Sequence, residues 1–207
     1  MYLMQWSRPE VHNATRNCLR MMSNPQQQHW KPLIHLFKYV MGTPNRGLTL
    51  TPNRIWNGDM NFELPIAGRS DSDYAANTND RRSISGSSVF IEGAPACFRR
   101  ATQKFVTLSV TESESGAGVS TAQDMMMMYC YRIITPLGVK VELPMVLEVD
   151  NKGAVDLANN YSVGRRTRHV DVKFFFPIEL KEQGLLVIKH VPGSKNDADI
   201  FTKNITA

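Results

Sequence analysis

The sequence predicts an α/β fold: a mixed five-stranded sheet flanked by helices, with an N-terminal helical extension. Three observations predict it. Between residues 62 and 110, short apolar runs alternate with polar turns, as in an antiparallel meander. From residue 111 onward, helix-like and strand-like stretches alternate, as in crossovers between parallel strands. Before residue 50, apolar residues recur at helical spacing.

Residues 1–61 form the helical segment. Pro9 can open a first helix. Asn24 and Pro25 read as the cap and first position of a second. Trp30, Leu33, Ile34, Phe37 and Met41 share one face of it, Pro32 falls in its second turn, and Gly42-Thr43-Pro44 stops it. Residues 44–61 are rich in Pro, Asn, Gly and Thr and read as a connection with one short strand at 48–50.

Residues 62–207 form the second unit. Phe62, Leu64, Ile66 and residues 70–74 read as the first strand, and 83–92 as the second. The third comprises 96–100 and 105–110 around a loop. Thr111 and Glu114 have capping-box spacing, so a helix is expected from there to about residue 135. The run 145–150 is a strand ending in an acid, 151–160 a helix, and 161–168 a basic loop. Residues 170–183 read as a helix interrupted by Pro177, 185–191 as the last strand, and 196–203 as a terminal helix.

Bulk properties narrow the function classes. A chain of 207 residues suits one ordinary domain with an appendage. With 42% hydrophobic and 21% charged residues it can build a core and is not a disordered polyelectrolyte. The net charge of +5 suits a phosphate-bearing partner without requiring one. Cys18, Cys97 and Cys130 are widely spaced and indicate neither a disulfide framework nor a zinc site. A reducing compartment is the expectation. No apolar run reaches membrane-spanning length and no signal peptide is seen, so neither secretion nor a membrane partner is expected. No serine sits in a nucleophile elbow, and no glycine-rich phosphate loop occurs.

Four acids occupy informative places. Asp71 lies on the first strand, Glu114 in the first turn of the long helix, Asp150 at the end of the fourth strand, and Asp199 in the terminal helix. Sites in α/β sheets gather at strand ends, where separate elements can deliver acids to one place. Clustered carboxylates repel each other unless a cation neutralises them. An all-oxygen site suits Mg2+ or Mn2+. Two such ions about 4 Å apart can activate water and stabilise the leaving oxygen of a phosphodiester. Taken singly, Glu114 also reads as a capping residue and Asp199 as a solvated one.

The strings SDSDYAAN (70–77), DRRSISG (80–86), LSVTESE (108–114), EVDNKGAVDLANN (148–160), RTRHVDVKFF (166–175) and DADIFTKNI (197–205) occur in one order. In that order they resemble the ribonuclease H domain of copia-type retrotransposon Pol polyproteins. SRPEVHNAT and NPQQQHWKPLIHLFKYVMGTPNRGL are similar to the end of the reverse transcriptase region that precedes it. The resemblance implies a ribonuclease H-like fold and Mg2+-dependent endonuclease hydrolysis of the RNA strand of RNA–DNA hybrids. Two Mg2+ ions are implied, with Mn2+ able to substitute. The implied partners are the hybrid and the upstream reverse transcriptase domains. The implied location is a cytoplasmic virus-like particle or the nucleus. Carried over, the catalytic and metal-binding acids are Asp71 in S-D-x-D, with Asp73 as alternative, and Glu114 in T-E-x-E, with Glu112 as alternative. Asp150 in V-D-N and Asp199 in A-D-I-F-T-K complete the set.

Several positions depart from the family pattern. Ser113 and Ser115 flank Glu114. Gly116 and Gly118 follow within the helix, each costing about 1 kcal/mol relative to Ala. Pro177 is expected to kink its helix. These departures keep open a second reading: an inactive retroelement remnant that at most grips nucleic acid. The run Met125 to Met128 reads as helix packing. Arg165, Arg166, Arg168 and His169 form a basic knot suited to phosphates, with Arg99, Arg100 and Lys104 a second. Asn151 either contacts substrate or caps the following helix. PGSKNDA (192–198) contains no histidine, so no product-release histidine is assigned.

Overall fold

The computed structural model describes residues 2–59, 61–77, 80–128, 134, 138–160 and 174–203. Three helices open the chain: α1 (Tyr2–Trp6), α2 (His12–Arg20) and α3 (Trp30–Gly42). A short strand β1 (Glu63–Leu64) precedes the meander β2 (Ile66–Asp73), β3 (Ile84–Ile91) and β4 (Ala94–Thr102). Helix α4 (Val110–Gln123) continues as a π-helical turn over Asp124–Met128. Then come β5 (Lys140–Val141), β6 (Met145–Val149), α5 (Lys152–Asn160), α6 (Phe175–Glu182), β7 (Leu186–His190) and α7 (Asp199–Thr202).

The main sheet has the order β4-β3-β2-β6-β7. β3 runs antiparallel to both its neighbours, whereas β2, β6 and β7 are parallel. This is the mixed five-stranded, helix-flanked sheet expected of a ribonuclease H-like fold. β2 lies at its centre, so its side chains meet neighbours on both flanks. The core forms where Val89, Leu147 and Leu186 of the sheet meet Ala122, Met125 and Met126. Met125 and Met126 are buried there, as the packing reading of the methionine run expects.

Several local expectations change. Residues 105–109 are not strand. β4 runs straight through to Thr102, and the helix begins at Val110 with Ser109 as cap. Ser109 Oγ accepts from Glu112 N at 3.1 Å, and Glu112 Oε2 accepts from Leu108 N at 2.7 Å. Glu112 therefore does the capping that the spacing equally offers to Glu114. Pro177 does not interrupt its helix. The described helix, Phe175–Glu182, carries Pro177 as its third residue and continues past it. Residues 170–173 lie outside the described residues.

The second N-terminal helix likewise starts later than Asn24-Pro25. Gln26 caps a 3-10 turn over Gln27–His29, with Gln26 N donating to His29 Nδ1 at 3.0 Å, and α3 follows directly. The face of α3 formed by Trp30, Phe37 and Met41 is exposed. No strand forms at 48–50. β1 and β5 form a parallel pair that the residue pattern does not foretell. Gly116 has a packing reason, since a Cβ there would lie 3.0 Å from Phe105 Cζ and 3.1 Å from Gln103 Nε2. No described helix is long and apolar enough to cross a membrane.

Candidate metal centre

The centre lies where the parallel strands end. The last β2–β6 partners are Ser70 and Val149, so Asp71 and Asp150 stand side by side one residue further on. α7 brings Asp199 to them. Its approach depends on Gly86, opposite Asp71 on β3. A Cβ at Gly86 would lie 2.9 Å from Ala198 O and 3.0 Å from Phe201 Cβ. The loop before α7 is tied to β2: Asn196 Nδ2 donates to Ser70 O at 2.9 Å, and Arg69 pairs with Asp197.

One carboxylate oxygen from each of Asp71, Asp150 and Asp199 lies within 4.8 Å of the others. Asp71 is buried and the other two are half-buried. Glu114, from the first turns of α4, is not in that three-carboxylate group; its Oε1 accepts from Ser72 N at 3.3 Å, and it is close enough to feel the Asp71 and Asp150 charges. Asp73, the alternative to Asp71, is not in the three-carboxylate group.

Electrostatics mark the centre as short of positive charge. Burial pushes the Asp71 carboxyl up to about 6. The Thr202 hydrogen bond and the Lys203 charge oppose that rise, while Asp199 and Asp150 add to it. Burial, then the Asp71 and Asp150 charges, push Glu114 up to about 8. The apolar walls beside Glu114 include Val119, Val149 and Ala154. Among the described residues, two buried carboxylate oxygens, Glu114 Oε2 and Asp199 Oδ1, have no hydrogen-bond partner. A buried acceptor left unsatisfied is costly. Two of them in a site of neighbouring carboxylates fit a hard cation held by oxygen ligands.

Four other residues complete the site and were not picked out as site residues from the sequence. Thr202 Oγ1 donates to Asp71 Oδ2. Lys203 Nζ lies 2.8 Å from Asp199 Oδ2 and 3.9 Å from Asp71 Oδ1. Burial works against the Lys203 charge, but the bond to Asp199 and the charges of Asp71 and Asp150 outweigh it and raise its pKa. Asn196 fixes the loop, and His190 Nε2 lies 3.2 Å from the Asp150 carbonyl oxygen. Thr202 and Lys203 were within reach of sequence reasoning, because they follow Asp199 at i+3 and i+4 and so share its helix face.

The predicted substrate groups fare differently. Asn151 Oδ1 accepts from Ala154 N at 2.9 Å and so caps α5. Arg165, Arg166, Arg168 and His169 lie outside the described residues. Arg99 and Arg100 do not form one patch, because neighbouring strand residues face opposite sides. Arg99 Nη1 bonds Asp124 Oδ1 at 2.5 Å, and the buried Arg100 donates from Nε to Phe201 O at 2.7 Å.

Over 203 residues the chain is 28% identical to the retrovirus-related Pol polyprotein from transposon TNT 1-94 of Nicotiana tabacum, covering 98% of this chain and 14% of that one. Over 201 residues it is 27% identical to the corresponding polyprotein from transposon RE1 of Arabidopsis thaliana, covering 97% and 13%. Homologues of this chain thus include retrovirus-related Pol polyproteins of transposons. It spans only about a seventh of the length of these Pol relatives. It is also 32% identical over 114 residues to the secreted RxLR effector protein 161 of Plasmopara viticola, covering 55% of this chain and 75% of that one. No protein-family profile matches. Among solved structures, LC11-RNase H1 in complex with an RNA/DNA hybrid aligns at 20% identity and TM-score 0.47, covering 65% of this chain and 91% of that one. The N-terminal RNase H domain of rv2228c from Mycobacterium tuberculosis aligns at 14% identity and TM-score 0.46, covering 68% and 91%.

Proposed function

We propose that this chain is a segment of a transposon Pol polyprotein and a metal-dependent endonuclease of the ribonuclease H type, cutting the RNA strand of RNA–DNA hybrids. The observation that carries the proposal is the carboxylate group at the strand ends, beside which two buried carboxylate oxygens lack partners among the described residues. Asp71, Asp150 and Asp199 would hold the metal, with Glu114 as the fourth carboxylate. Mg2+ suits this donor set, and Mn2+ can substitute. When bound, a pair of such ions supplies an activated water and stabilises the departing oxygen.

The chain's own residues arrange the ligands. The Thr202 hydroxyl holds Asp71 Oδ2 and so fixes the direction of Oδ1. The Ser72 N–H holds Glu114 Oε1 and leaves the buried Oε2 without a hydrogen-bond partner among the described residues. Lys203 balances part of the negative charge and stands beside Asp199. Burial of Asp71 and Glu114 keeps bulk water from screening them. In the same reading, residues 1–61 are the end of the reverse transcriptase region, 62–207 are the nuclease domain, and the upstream domains are partners.

The test is cleavage of a labelled hybrid by the purified chain in Mg2+ and in Mn2+, with Asp150→Asn as the comparison. Asp150 is half-buried at a strand end, so its amide should preserve the thermal melt while cleavage falls to background. Equal rates for parent and variant would overturn the assignment. A parent that neither cleaves nor binds Mg2+ by calorimetry would leave the chain an inactive remnant.

A further inference from the structure

A ridge of arginines runs from the carboxylate cluster onto the N-terminal helices. His12, Arg16 and Arg20 follow one another at intervals of four in α2 and so share one face. His12 is buried at the near end, edge-on to the Phe201 ring at 5.7 Å. Next to it, Asn13 Nδ2 donates to Lys203 O at 3.3 Å. At the far end Arg20 is exposed, and its Nη2 donates to Asn77 Oδ1 at 2.6 Å. Arg16 lies between them, half-buried. This face of α2 is thus pinned to α7 at one end and to the turn after β2 at the other.

The turn adds two further cations. Asn77 N donates to Arg82 O, and Arg81 N donates to Asn77 O, so both arginines belong to the turn that receives Arg20. Arg82 pairs weakly with the exposed Asp80 at 3.7 Å.

The ridge starts beside the metal centre. Asp71, Gly86 and Arg100 are register partners on three adjacent strands, which puts Arg100 about 10 Å from Asp71 at ordinary strand spacing. Arg100 holds the carbonyl of Phe201, the residue before the Thr202 that holds Asp71. The like charges are crowded. Burial first, then Arg16 and Arg20, lowers Arg100 to about 10. Burial, then Arg100 and Arg16, lowers His12 to about 4.

We propose that Arg16 and Arg20 of α2, continued by Arg81 and Arg82 of the β2–β3 turn, bind the phosphate backbone of a nucleic acid running past the carboxylate cluster. Guanidinium forks match phosphate oxygens, and such contacts position a duplex without reading its sequence. The N-terminal segment then acts as part of the substrate surface and not only as a leftover of the preceding region. The inference takes its ligand class from the nuclease reading, but its test does not depend on cleavage.

The test is equilibrium binding of a fluorescent RNA–DNA hybrid to the full chain in chelator, across a series of salt concentrations. Arg16→Ala/Arg20→Ala should weaken binding about tenfold at 0.1 M salt. It should also flatten the plot of log K against log salt by roughly 1 to 2, a step of about 0.9 for each phosphate no longer neutralised. Arg16→Lys/Arg20→Lys should keep most of the slope, which guards against a fold effect, as does an unchanged thermal melt. A double variant with parental affinity and slope overturns the proposal. So does a parent whose binding to every nucleic acid tried is independent of salt, or one that binds polyglutamate in preference to the hybrid. A parent that binds through these arginines but never cleaves would leave the ridge standing and defeat the nuclease reading.

Discussion

The sheet is flanked by buried carboxylates in two regions that are treated oppositely. At the end of α4, Asp124 is fully buried and both its oxygens are engaged, Oδ1 by Arg99 at 2.5 Å and Oδ2 by Ser87 at 3.0 Å. Ser87 and Arg99 are register partners on β3 and β4, so one cross-strand pair supplies both donors. Burial raises the Asp124 carboxyl, and Arg99 and Ser87 oppose that rise. At the strand ends Lys203 pairs with Asp199 and lies near Asp71, and among the described residues one buried oxygen each of Glu114 and Asp199 has no partner. A buried acid with its partners supplied is structure. A buried group of acids short of a partner is a place for something that is not part of the chain.

The comparison breaks most readily through substitutions of opposite sign. Arg99→Ala leaves Asp124 buried without its cation and should cost about 2–3 kcal/mol. That is below the roughly 3–5 kcal/mol of a fully buried pair, because Arg99 itself is partly exposed. Asp71→Asn removes like-charge repulsion and should raise the melting temperature of the metal-free chain at neutral pH. Denaturant and thermal unfolding in chelator measure both. If the two substitutions shift stability in the same direction, the two regions do not differ in this way.

A smaller effect lies in the pH dependence. Folding raises the Glu114 carboxyl from 4.5 to about 8 and the Asp71 carboxyl from 3.8 to about 6. The folded chain therefore holds protons that the unfolded chain has released, and stability falls as pH rises through this range. His12 has the opposite sign, since its depressed pKa destabilises the fold only below about 6.5. The window from about pH 6.5 to 8 isolates Glu114. There the melting temperature in chelator should decline, by no more than about 1.4 kcal/mol of stability per pH unit. Saturating Mg2+ should abolish the decline, because it favours the ionised carboxylates. Glu114→Gln should flatten the chelator profile; an unchanged slope in that variant would remove Glu114 from the cluster.

The two regions also differ in how far the sequence discloses them. The succession of strands and helices and the placing of Asp71 on the first strand of the sheet follow from hydrophobic pattern, because that depends on local spacing. The choice between Glu112 and Glu114 does not, since Ser109 with Glu112 and Thr111 with Glu114 have the same capping spacing. Gly86 looks like any glycine until α7 is packed against it. Asp124 gives no sign of its partners, because Ser87 and Arg99 meet only across a strand pair. The apolar stripe of α3 is legible as a stripe, but its exposure depends on what packs beside it.

The smallest effect decides between the two glutamates. Ser109 and Glu112 hold the start of α4 through Glu112 N and Leu108 N. Ser109→Ala should cost about 1 kcal/mol, the usual value of an N-cap hydroxyl, and Glu112→Gln less. Neither side chain belongs to the carboxylate group at the strand ends, so hybrid cleavage at a temperature well below the melt should be unchanged in both. Glu114→Gln should behave in reverse at neutral pH, with a near-parental melt and lost cleavage, because its carboxyl is already largely protonated in the metal-free fold. If Glu112→Gln removes cleavage and Glu114→Gln keeps it, the cluster is built on Glu112 and the cap on Glu114.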